Sequence, residues 1–179
     1  DQTVCNSEEV VLTATGGGSY LWSTGETTAA ITVSPQATTE YTVTVTSSEG
    51  CSDEDSVTVT VNELPTAHAG DDQTVCNSEE VVLTATGGGS YLWSTGETTA
   101  AITVSPQATT EYTVTVTSSE GCSDEDSVTV TVNELPNVHV CIDQTICIGE
   151  EVVLTATGGG SYLWSTGETT AAITVSPQA

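Results

Sequence analysis

Residues 1–65 and 72–136 are identical, and Asp143 opens a third copy that runs about halfway to Ala179. The pentapeptide Asp1-Gln2-Thr3-Val4-Cys5 returns as Asp72-Gln73-Thr74-Val75-Cys76 and as Asp143-Gln144-Thr145-Ile146-Cys147, which sets the period at 71 residues. A fixed period of this size predicts like domains in series, each contacting its neighbours. The reading gives repeat 1 (residues 1–65), a linker (66–71), repeat 2 (72–136), a second linker (137–142) and the first half of repeat 3 (143–179). Each repeat is near the lower end of the size at which a chain buries a core unaided, so covalent staples are expected.

Inside a repeat the apolar residues recur every second position. Tyr41-Thr42-Val43-Thr44-Val45-Thr46 and Val57-Thr58-Val59-Thr60-Val61 alternate between an apolar and a threonine face, the pattern of half-buried antiparallel strands. Shorter strands are predicted at Thr3–Cys5, Val10–Thr15, Tyr20–Ser23 and Ala30–Ser34, divided by glycine- and serine-rich turns such as Gly16-Gly17-Gly18-Ser19 and Ser47-Ser48-Glu49-Gly50. The fold class is all-β: tandem β-sandwich repeats of 71 residues. Val11 or its neighbours, Leu12, Ala14, Trp22, Ile31, Val33, Tyr41, Val43, Val45, Val57, Val59 and Val61 are expected to face inward. With no phenylalanine or methionine present, Trp22 is the largest apolar group available to the core.

Each full repeat carries one early and one late cysteine, and that pattern reads as a disulfide framework made in an oxidising compartment. The expectation is that Cys5 bonds Cys51 and Cys76 bonds Cys122. Zinc is the weaker reading, because one pair per repeat supplies two of four ligands. Cys147 is expected to pair with a later residue of its own repeat in a longer chain, and Cys141 to bond outside the repeat pattern.

The chain has no lysine or arginine, 25 acidic residues and a formal net charge of −25. Phosphate backbones and anionic lipid surfaces repel such a surface, which argues against nucleic-acid binding and electrostatic membrane docking. No apolar run reaches the roughly 20 residues of a membrane-spanning helix. Catalysis finds little support: His68 and His139 lie in the linkers with no nucleophile fixed nearby and are expected to pack on the adjacent domain, and Glu8-Glu9 and Asp53-Glu54-Asp55 read as ionised acids at loop tips.

Three stretches together resemble a known family. Ala67-His68-Ala69-Gly70-Asp71-Asp72-Gln73-Thr74 is similar to the linker and first strand of polycystic-kidney-disease-type (PKD) repeats, and Tyr20-Leu21-Trp22-Ser23-Thr24-Gly25 to their tryptophan-glycine motif. Glu40 to Thr46 followed by Glu49-Gly50-Cys51 resembles the end of the same domain. With the cysteine pair and the threonine richness, the chain looks like the PKD-like or immunoglobulin-like repeats of large Bacteroidota surface adhesins, including the gliding-motility type. Ser23-Thr24 stands where the family has an acidic pair. The resemblance implies an immunoglobulin-like sandwich and an extracellular, cell-surface or filamentous location. Its partners would be neighbouring repeats and, beyond them, cells, surfaces or glycans.

Two further sites are candidates. Asn62, Glu63, Asp71 and Asp72 could offer calcium several oxygen ligands at a domain junction, although Ile142 replaces Asp71 in the next linker. Asp55-Ser56-Val57 and Asp126-Ser127-Val128 resemble a short O-glycosylation acceptor, which makes Ser56 and Ser127 the candidate acceptors; the plainer reading is the start of a strand. The functional expectation is a structural array, the shaft of an adhesin or filament. The alternative is a multivalent module whose loops bind glycans or surfaces. The half-repeat lacks the two long threonine-valine strands and is expected to be completed in cis by a longer chain, with strand addition from another molecule as the other route.

Overall fold

The computed structural model describes residues 1–176. Repeat 1 is built from six strands: β1 (Gln2–Cys5), β2 (Val10–Thr13), β3 (Ser19–Trp22), β4 (Ala30–Val33), β5 (Thr39–Thr46) and β6 (Ser52–Asn62). One sheet has the order β1-β6-β5-β3 and the facing sheet is β2-β4, so each unit is a small β-sandwich. The two long strands pair antiparallel, with Tyr41 opposite Val57. Strand β1 runs parallel to β6, placing Cys5 opposite Asn62. Repeat 2 copies this arrangement with β7 (Gln73–Cys76), β8 (Val81–Thr84), β9 (Ser90–Trp93), β10 (Ala101–Val104), β11 (Thr110–Thr117) and β12 (Ser123–Asn133).

The alternation seen in the sequence sorts most side chains as expected, but Ala14, Val33, Val45 and Val57 are only half-buried at the margin of the core and Val61, near the end of β6, lies outside it. Val10 and Leu12 are buried and Val11 points to solvent, 56 % exposed, so of the three it is the neighbours that enter the core. Leu12, Trp22, Ile31, Tyr41, Val43 and Val59 are buried beside Val10. Each core tryptophan also satisfies its polar atom: Trp22 Nε1 donates to the Thr28 carbonyl at 2.9 Å and Trp93 Nε1 to that of Thr99 at 3.0 Å. A buried indole would otherwise lose a hydrogen bond to water.

The acidic stretch Asp53-Glu54-Asp55 is not a loop tip. It lies within β6, opposite Val45, Thr44 and Val43, so β6 is four residues longer at its start than the alternating Val-Thr run plus Ser56 alone would suggest. Ser56 and Ser127 are therefore mid-strand and exposed, not at strand starts.

Repeat 3 forms a three-stranded sheet of β13 (His139–Val140), β14 (Val152–Thr157) and β15 (Ala172–Val175). Its residues 143–147 and 161–164 are not strands, although their counterparts are β1 and β3 in repeat 1. Those strands form by pairing with β6 and β5, and residues 143–179 contain no such sequence. An extended segment without a ladder partner leaves its backbone groups to water and gains no pairing. Trp164 is accordingly only half-buried, and Leu163 is 80 % exposed.

Candidate functional site: the junction between repeats

Cys5 bonds Cys122, not Cys51. The bond joins the early cysteine of repeat 1 to the late cysteine of repeat 2, with the two Cα atoms 5.6 Å apart and 117 residues between them in sequence. Cys51 and Cys76 are free and exposed, as is Cys147, and Cys141 is free and half-buried. The expected pairing within a repeat fails on strand direction. Because β1 is parallel to β6 and Cys5 sits opposite Asn62, Cys51, just before Ser52, lies at the other end of an eleven-residue strand. That span is about 33 Å at the usual rise per residue, far beyond the roughly 7 Å that a disulfide tolerates.

The residues read as a linker complete the junction. Ala69 is fully buried and belongs to the core of repeat 2, with Ala67 packed beside it. Two carboxylates on β12 hold the segment: Asp124 Oδ2 accepts the Ala67 amide at 3.0 Å and Asp126 Oδ2 accepts the Ala69 amide at 2.8 Å. His68 and Thr86 exchange two backbone bonds, His68 N to Thr86 O at 3.1 Å and Thr86 N to His68 O at 2.8 Å. The segment is thus a one-residue strand added to repeat 2 beside β8. In the third repeat the same register recurs as β13, where His139 pairs with Thr157.

Electrostatics follows this geometry. The amides of Ala69 and Ser127 hold the Asp126 carboxyl below the usual carboxylate range, burial opposes them, and His68 Nδ1 at 3.4 Å adds to the lowering. His68, expected from its place in the linker to pack on the adjacent domain, docks on repeat 2 and is part of the junction. Asp126, noted in the sequence only as part of Asp126-Ser127-Val128, and Asp124, given no role there, are the junction's hydrogen-bond acceptors. The signal that could have found them is the conservation of the histidine alone between two otherwise different linkers.

The residues considered for calcium are used differently. Asp72 Oδ1 accepts the Thr129 amide at 2.8 Å, as Asp1 Oδ1 accepts that of Thr58 at 3.2 Å. Asn62 ends β6 opposite Cys5. Among the described residues no three acidic, histidine or cysteine side chains come together as a metal site.

No protein-family model and no curated protein matches the chain. Solved structures do resemble it at low identity. DIP-gamma Ig1+Ig2 aligns at a TM-score of 0.36 and 11 % identity, over 74 % of this chain and 93 % of that one. Sidekick-1 immunoglobulin domains 1–4 align at 0.34 and 11 %, over 99 % and 66 %. A calcium-stabilised adhesin with which an Antarctic bacterium binds ice aligns at 0.35 and 16 %, over 97 % and 60 %.

Proposed function

We propose that the chain is a segment of an extracellular repeat array that spans distance, as the shaft of a cell-surface adhesin or filament of the PKD-like type. The observation that carries this reading is the junction. Repeats 1 and 2 are tied twice, by an added strand buried in the next core and by a disulfide between them. Two ties at one joint restrict bending, which a spacer needs and a lone binding domain does not. The disulfide also supports an oxidising location outside the cytosol. Uniform negative charge keeps neighbouring shafts apart.

Length is then set by repeat number, at roughly 35–45 Å per repeat from strand lengths near 3.3 Å per residue. Small-angle scattering of the chain tests this. An end-to-end array is expected to give a radius of gyration of roughly 25–30 Å, against about 16 Å for a compact domain of this length. A compact value removes the shaft reading. Specific capture of one sugar on a glycan array would favour the binding-module alternative, but the loops offer it little: Trp22 and Trp93 are buried in the cores.

A further inference from the structure

Repeat 1 has an open groove at the very end where repeat 2 is covered. It has a volume of about 460 Å³ and is walled by Gly16, Gly17, Val45, Cys51, Asp53 and Asp55. Their counterparts 71 residues on are Gly87, Gly88, Val116, Cys122, Asp124 and Asp126, and there the space is filled by residues 66–69 and by Cys5. A Cβ built on Gly87 would strike the Thr66 carbonyl, whereas one on Gly16 would meet only a Val45 methyl at 3.5 Å. The difference is visible in burial. Val116 and Cys122 are 0 % and 1 % exposed, while Val45 is half-buried and Cys51 exposed. Thr86 N–H has the His68 carbonyl as its acceptor, and Thr15 N–H has no counterpart of it among the described residues.

The empty seat is already shaped. The Cys51 amide donates to Ser47 Oγ at 3.3 Å just as the Cys122 amide donates to Ser118 Oγ at 3.3 Å. At the opposite end, Cys76 matches Cys5 in the same way: its amide is held by Glu79 Oε2 at 3.0 Å, that of Cys5 by Glu8 Oε2 at 2.9 Å.

We propose that the groove and Cys51 form a receiving site for a preceding repeat of the same kind. The Ala-His-Ala stretch of that repeat's linker adds as a strand beside Thr15, with its alanine amides donating to Asp53 and Asp55. Its early cysteine bonds Cys51. Cys76 is the complementary half, which bonds the late cysteine of a following repeat, so the Cys5–Cys122 bond is one rung of a periodic cross-link. Each new rung removes two protons and two electrons from two thiols, and a small-molecule disulfide such as oxidised glutathione accepts them and is reduced to two thiols. The proposal rests on the array reading.

The test lengthens the chain at its N-terminus by one more copy of residues 1–71 and refolds it with oxidised glutathione. Two cysteines are added, yet the free-thiol count in denaturant is expected to equal that of the parent chain, because the added early cysteine takes Cys51 and the added late cysteine replaces it as the open end. With the original repeat 1 segmentally labelled, amide exchange at Thr15 is expected to slow at least tenfold, toward that of Thr86. A count higher by two, or unchanged exchange at Thr15, overturns the proposal. An elongated scattering profile for the lengthened chain in that event leaves the array reading standing, whereas a compact one removes both.

Discussion

Asp55 and Asp126 occupy the same place in two identical stretches, yet only Asp126 accepts the amide of a buried Ala69. Replacing Asp126 by alanine leaves that amide without its acceptor, a loss of about 1–3 kcal/mol in the stability of repeat 2. The same change at exposed Asp55 is expected to cost under about 0.5 kcal/mol. Urea unfolding of the two variants checks the asymmetry. The pH dependence has a definite sign. Because the amides hold the folded Asp126 carboxyl below its ordinary range, its contribution is complete above the unfolded value near 3.9 and is lost as pH falls through the lower folded value. The protection factor of the Ala69 amide, its exchange taken relative to the intrinsic rate at each pH, is therefore expected to fall in acid below about pH 4, and Asp126→Asn, with no charge to titrate, to flatten that dependence. A second position shows strain directly. Ser7 and Ser78 hold φ of 66° and 65°, and their counterpart in repeat 3 is Gly149, at 82°. Ser78→Gly is expected to raise stability by about 0.5 kcal/mol in thermal or urea unfolding, since glycine enters this region without a Cβ penalty.

The same sequence is a strand or not according to what lies beside it. Ser19–Trp22 and Ser90–Trp93 are strands because β5 and β11 bind them, and residues 161–164, identical in sequence, are not. Approach of these strands depends on the glycines before them. Gly18 and Gly89 have φ of 121° and 122°, and a Cβ at either would collide with the carbonyl of Thr46 or Thr117. Gly89→Ala is expected to cost about 3 kcal/mol or more, by pushing β9 off β11. Gly88→Ala is the control: its Cβ meets nothing within 4 Å, and only its φ of 71° is unfavourable, for a loss of about 1–2 kcal/mol. Circular dichroism melts of the pair separate collision from conformational cost. The acidic run Asp53-Glu54-Asp55 was opaque at this scale for a related reason. Its charges suggest a loop, but pairing with Thr44 and its neighbours makes it strand, with Glu54 Oε2 accepting from Thr44 Oγ1 at 3.5 Å.

Across the whole molecule the disulfide decides how the chain bears load. Pulled from its ends, oxidised protein can extend only outside the bonded loop, so the bond hides 117 residue steps, about 400 Å of contour at some 3.4 Å per residue. Single-molecule force spectroscopy is expected to recover that length in one block on adding reductant, and to show it at the outset for Cys5→Ser. Two hidden loops of 46 residues each would instead signal bonds within repeats. Peptide mapping adds a second check: cleavage after glutamate separates the peptide of Cys5 from that of Cys76, which carries residues 66–71. Cys76 is expected free, whereas bonds within repeats would leave it bonded; the peptides of Cys51 and Cys122 stay identical. Closing so long a loop contributes about 4–5 kcal/mol in the chain-entropy model, and reduction is expected to lower the denaturation midpoint without abolishing the sandwich cores.

Period, strand alternation and the centre of the core were legible in the residues, because side-chain direction in a strand follows from local geometry alone: Trp22, Tyr41, Val43 and Val59 went where a period of two sends them. Ala69 was not, since its burial depends on the linker docking on the next repeat. The cysteines marked a cross-link but left its partner undecided, since identical repeats offer the same residues within and between domains. Only the tertiary structure resolved that choice. The parallel run of β1 along β6 carries Cys5 to the far end of its own repeat, and the linker, buried through Ala69 against the next core, brings it to Cys122.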